Sequence, residues 1–136
     1  MARAGTTTAF TFGDSITRQQ ANYYDWKTYD SKVTYTGNPT ATNAGKTVSV
    51  GSYPSNAFGL HEVHGNVWEW TEDCWNGSYT GAPAEGSAWA SGDCGQRVLR
   101  GGSWNDDPYF ARSTHRYGLI VGNRTFSLGF RVARTD

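Results

Sequence analysis

The chain has 136 residues, with Lys plus Arg and Asp plus Glu balanced at 12 each, and it is rich in Gly (17), Tyr (8) and Trp (6). That length suits a single domain over residues 1–136, and the balanced charge offers no field to hold nucleic acid or an anionic membrane surface. No apolar run nears the roughly 20 residues that cross a bilayer, and so much Gly with so many broad aromatics argues against a helical bundle and for a loop-rich fold pinned by aromatic anchors.

In chain order, the opening Met1-Ala2-Arg3-Ala4-Gly5 lacks the apolar stretch of a signal peptide. Residues 2–8 read like the interior of a domain, so an N-terminal portion lying before this chain is expected. Short β-branched or aromatic stretches bounded by Gly, Asn, Asp and Pro predict strands over residues 9–12, 47–50, 67–71, 97–100 and 129–133. Between the first two, residues 23–46 form a polar run with Gly37-Asn38-Pro39 inside it and read as a long surface excursion. No apolar period of 3.6 lasts beyond two turns, and Asp107-Pro108 marks the start of one helical turn.

Alternation in Gly65-Asn66-Val67-Trp68-Glu69-Trp70 places both indoles on one face of a strand, as core anchors. Gly101-Gly102 permits a bend or a close backbone approach. Arg131 lies between Phe130 and Val132 and points away from them, free to pair with a carboxylate or stack on a ring. Cys74 and Cys94 lack zinc-site spacing and are either a disulfide or two thiols.

Three motifs follow in order: Asn56-Ala57-Phe58-Gly59-Leu60 running into His64-Gly65-Asn66-Val67-Trp68-Glu69-Trp70, then Arg97 to Trp104 (RVLRGGSW), then Leu128-Gly129-Phe130-Arg131-Val132. With Ala4-Gly5-Thr6 and Phe12-Gly13-Asp14 they resemble the formylglycine-generating enzyme family, also called the sulfatase-modifying factor family. The resemblance implies an α+β, C-type-lectin-like fold, loop-rich, with short twisted antiparallel strands and few helices. It also implies a structural calcium held by side-chain oxygens of Glu62 and Glu69 and carbonyls of Gly65 and Val67, a set of hard oxygens suited to that ion. A second family calcium site would use Asn22 and the Tyr23 carbonyl, but its carboxylate falls in the excursion, where the pattern is lost. Cys74 and Cys94 occur together in similar sequences, which implies a disulfide between them.

The family's oxidase converts a sulfatase cysteine to formylglycine on a pair of cysteines that hold Cu(I), a soft ion suited to thiolates. By register those cysteines fall near Pro108 and Ser113, where this chain has none, so the resemblance implies no copper and no catalytic residues. Ser113, His115 and Asp106 or Asp107 spell a hydrolase triad in sequence only, since a triad is a matter of geometry.

Between family-like flanks, residues 105–127 replace Asn-rich sequence with Tyr, Phe, Leu and Ile and contain no Lys, Glu, Gln, Met or Trp. Those are the residues that a codon ending in C cannot encode, whereas an AAC codon with randomised adenines encodes all the others. The pattern resembles variable proteins of diversity-generating retroelements, many of which display a variable C-terminal segment on this fold. It implies a non-catalytic ligand-binding domain whose contact residues for an unidentified protein or other ligand are Asp106, Asp107, Tyr109, Phe110, Thr114, His115, Tyr117, Leu119, Ile120, Val121, Thr125, Phe126 and Ser127. Exposed aromatics on a rigid frame give large contact area at low entropic cost. The alternatives are a sulfatase-modifying oxidase and an accessory domain of a larger protein.

Overall fold

The computed structural model describes residues 2–24 and 45–132, so most of the predicted excursion at 23–46 lies outside the described residues. Four strands form one sheet: β1 (Trp68–Trp75), β2 (Asp93–Arg100), β3 (Tyr117–Ile120) and β4 (Leu128–Phe130), in the order β3-β2-β1-β4. Among the described residues there is no helix, so the helical part of the expected α+β class is not seen there. The predicted turn at Asp107-Pro108 is present as successive turns, with Phe110, Ala111 and Arg112 amides donating to the carbonyls of Asp107, Pro108 and Tyr109.

The pairings correct the all-antiparallel expectation. β1 with β2 and β2 with β3 are antiparallel, but β4 runs parallel to β1, setting Glu69 beside Gly129 and Trp70 beside Phe130. A parallel partner requires a crossover, and residues 121–127 supply it by carrying the chain from one edge of the sheet to the other.

The strands predicted at 9–12 and 47–50 do not form. In place of a strand, Phe10 forms an isolated bridge with Gly13. Val48 has its backbone satisfied by a side chain instead: its amide donates to Asn66 Oδ1 at 2.9 Å, and Asn66 Nδ2 donates to its carbonyl at 3.3 Å. A buried carboxamide thus stands in for a neighbouring strand and pairs both backbone groups of Val48.

The core is also not where two alternating indoles suggest. It is a cluster of Phe10, Ile16, Ala21, Tyr23 and Ala111, with Ala9 and Phe12 against it, contributed by the N-terminal loops and by the turns ahead of β3. Trp68 is buried at its flank, and the adjacent β2 residues Val98 and Leu99 are both buried, so this end of the sheet is covered on both faces. His64 ties the layers together: Thr11 N–H donates to its Nε2 at 3.0 Å, and its Nδ1 lies 2.7 Å from the Ala111 carbonyl. Gly101 and Gly102 both take positive φ, and a Cβ on Gly102 would stand 3.0 Å from the Ala111 amide nitrogen, so the close approach needs glycine.

Candidate functional site

Residues 105–127 divide into two parts. The first packs onto the scaffold: Pro108 and Ala111 are buried, and Phe110 and His115 set their rings 6.3 and 5.8 Å from that of Trp68. Trp68 Nε1 donates to Asp106 Oδ2 at 2.7 Å, and the same oxygen accepts a very short bond from the Ser103 hydroxyl. Asp107 Oδ1 accepts the Tyr109 amide at 2.8 Å, so both aspartates serve the local backbone and the indole. Tyr109 carries the Arg112 guanidinium 3.8 Å over its ring.

The second part faces solvent. Tyr117 is 49% exposed, Ile120 63% and Phe126 69%, with Val121, Thr125 and Thr114 also exposed. Tyr109, Phe110, His115 and Leu119 are half-buried, as is Ser127, whose carbonyl accepts the Trp68 amide at 2.8 Å. Phe126 leans on Trp104 with ring centroids 5.6 Å apart. β3, which sequence patterning missed inside this stretch, holds Tyr117 and Leu119 opposite Leu99 and Arg97 of β2. Between them Gly118 admits the Trp75 ring, since a Cβ there would lie 2.5 Å from an indole carbon.

The two carboxylates expected to hold calcium have other partners. Glu62 is buried at a residue with positive φ, and its carboxylate accepts the amides of Gly51 at 3.0 Å and Tyr53 at 3.1 Å. Glu69 forms a two-point pair with Arg131, whose Nη2 lies 2.7 Å from Oε1 and whose Nε donates to both carboxylate oxygens. Arg131 Nη2 also donates to the His61 carbonyl, and its pKa is raised first by the hydrogen bond to Glu69. No group of three or more His, Cys, Asp or Glu side chains arranged for a metal occurs among the described residues. Both carboxylates of the expected set are thus engaged by amides and a guanidinium, with the Gly65 and Val67 carbonyls in the same loop. At the second family position, Asn22 Nδ2 donates to the Lys46 carbonyl, Tyr23 is buried beside it in sequence, and most of the excursion expected to supply the carboxylate lies outside the described residues.

Nor do the hydrolase residues assemble. The Ser113 hydroxyl is buried without a hydrogen-bond partner, while His115 is ringed by Trp68, Tyr109 and Phe110. The chain's two cysteines, Cys74 and Cys94, are bonded to each other with Cα atoms 4.5 Å apart, leaving no free thiol. Among the described residues no helix is long and apolar enough to cross a membrane.

One group of residues escaped the sequence analysis altogether. Tyr79 and Trp89 of the long β1–β2 connection, with Asp73, Arg100 and Arg116, line a pocket of about 200 Å³. These positions are spread over more than forty residues, with no spacing motif to mark them.

Fold and surface define a class: a loop-rich domain on one small mixed sheet, with an edge strand and an edge-to-edge crossover carrying exposed apolar side chains. The chain belongs to the family of sulfatase-modifying factor enzyme 1-like domains, whose model matches residues 1–136. Among relatives, it is 31% identical over 90% of its length to the serine/threonine-protein kinase pkn1 of Chlamydia caviae, covering 17% of that protein. It is 36% identical over 59% of its length to the inactive C-alpha-formylglycine-generating enzyme 2 of Bos taurus, covering 24% of it. Among solved structures, PvdO from Pseudomonas aeruginosa superposes with a TM-score of 0.73 at 36% identity, over 95% of this chain and 46% of that one. Treponema denticola variable protein 1 superposes at 0.68 with 27% identity, over 95% of this chain and 41% of that one. The chain thus spans less than half the length of the proteins it matches.

Proposed function

We propose that this chain is a non-catalytic ligand-binding domain of the diversity-generating retroelement type, contacting a protein or other ligand through residues 105–127. The observation that carries it is the exposure of Tyr117, Ile120, Val121 and Phe126 on a stretch whose two ends are fixed in the scaffold. Large exposed apolar side chains cost solubility and mark contact surfaces. The likeness to Treponema denticola variable protein 1 and to an inactive member of the enzyme family supports the same reading. The alternative oxidase needs paired thiolates, and both cysteines are spent on a disulfide.

The native gene tests the proposal. Codons for the exposed positions should end in C, and a near-copy carrying AAC codons should lie close by, beside a reverse transcriptase. Absence of both would remove the diversified-display reading.

A further inference from the structure

We infer that the pocket between the β1–β2 connection and the start of β3 is an oxyanion site, suited to a small ligand with a carboxylate, phosphate or sulfate group and a flat apolar body. Two guanidinium groups line it, and neither forms an ion pair with any carboxylate among the described residues. Arg116 makes no hydrogen bond there either. Its charge rests over the Tyr79 ring at 4.0 Å and faces the Trp75 ring at 5.2 Å.

Arg100 is the better held. Its Nη1 donates to the carbonyls of Ser113 and His115 at 3.4 and 3.5 Å, and its Nη2 to the Tyr79 hydroxyl at 3.2 Å. Those contacts are long, and a guanidinium has five donors, so capacity for an anion remains. Both cations are half-buried, where a charge is screened less than in open water. The lone carboxylate in the lining is Asp73, whose Oδ1 accepts the Trp89 amide at 2.8 Å and whose Oδ2 lies 3.4 Å from the Thr71 hydroxyl, so one negative charge stands against two positive ones. The pocket therefore keeps a net positive charge with unspent donors.

Arginine matches planar oxyanions by two-point hydrogen bonding, and the Arg116 guanidinium rests on the Tyr79 ring. Trp89 and Pro83 supply an apolar wall beside this polar floor. The pocket uses Arg116 but none of the exposed residues assigned to the recognition surface. Its occupancy and the binding role of that surface stand or fall separately.

The experiment is calorimetric titration of the whole protein with benzoate, inorganic phosphate and inorganic sulfate, repeated on Arg116→Gln and Arg100→Lys. A third variant, Arg124→Gln, removes the same charge from an exposed position away from the pocket. The expected result is saturable binding of at least one probe, weakened at least about tenfold in Arg116→Gln as a charge-assisted hydrogen-bonding group is lost, and unchanged in Arg124→Gln. Arg100→Lys should weaken it too while its thermal melt shows the fold intact. Tighter binding of benzoate points to a carboxylate with a flat body, and tighter binding of phosphate or sulfate to a simple oxyanion. No saturable binding of any probe, or equal loss in Arg124→Gln and Arg116→Gln, overturns the inference.

Discussion

His64 shows how much one side chain can carry in a fold with little regular structure. Burial holds its pKa below the usual 6.5, opposed in part by the hydrogen bond to the Ala111 carbonyl, and Nε2 must stay unprotonated to accept the Thr11 amide. A depressed pKa means that the unfolded chain takes up the proton first. The stability tied to His64 is therefore complete above pH 6.5 and is lost as pH falls from there through the folded-state pKa. The half-buried His115, its pKa lowered by burial and by Arg112, acts in the same direction. Thermal melts between pH 7.5 and 5 should show the midpoint falling, with a shallower fall in His64→Gln; equal slopes would refute the assignment. The Glu69–Arg131 pair makes a second residue-scale prediction. Removing Arg131 strands a half-buried carboxylate, so Arg131→Ala should cost about 2 kcal/mol by denaturant titration. A chelator melt tests the calcium site that the family resemblance implies: a drop in the wild-type midpoint supports it, and an unmoved midpoint removes it.

At the scale of elements, the β1–β2 connection is long and is closed by the Cys74–Cys94 disulfide across 20 positions. Closing a loop of that size removes unfolded-state entropy worth about 3 kcal/mol. Reduction should lower the melting midpoint by about 10 °C, and the Cys74→Ala, Cys94→Ala double variant should match the reduced protein. The strands that patterning located, around Trp68, Arg97 and Gly129, are those in which alternation meets a real neighbour in the sheet. At residues 47–50 the local pattern was just as strand-like, but Asn66 took the backbone bonds, and no propensity reports a distant carboxamide. β3 was missed for the opposite reason: its four residues sit in sequence whose composition read as surface, and their pairing depends on β2 rather than on local preference. The parallel placement of β4 was likewise invisible, because register follows from the crossover and not from the strand itself.

Across the whole molecule, the candidate surface was legible as a stretch but not as a division of labour. Sequence singled out 105–127 by its composition, yet Pro108 and Ala111 serve the core, and Asp106 serves Trp68 and Ser103. The arginine pocket was illegible because it gathers residues from three parts of the chain. If the chain is non-catalytic, incubation with copper and a cysteine-containing sulfatase peptide should yield no aldehyde by mass spectrometry above a protein-free control. If the crossover and edge strand serve contact rather than stability, Ile120→Thr and Phe126→Ser should each cost less than about 1 kcal/mol, measured by thermal or denaturant melts. Gly118 should behave otherwise, because the Trp75 ring occupies the space of any side chain there. If residues 105–127 vary as proposed, it is a fixed letter among them, as a spacer is in a type case. A library saturated at positions 117–121 and sorted only for folded protein should come back nearly random at 120 and 121 but almost pure glycine at 118. The domain would thus edit its own repertoire by folding, before any ligand had a chance to select.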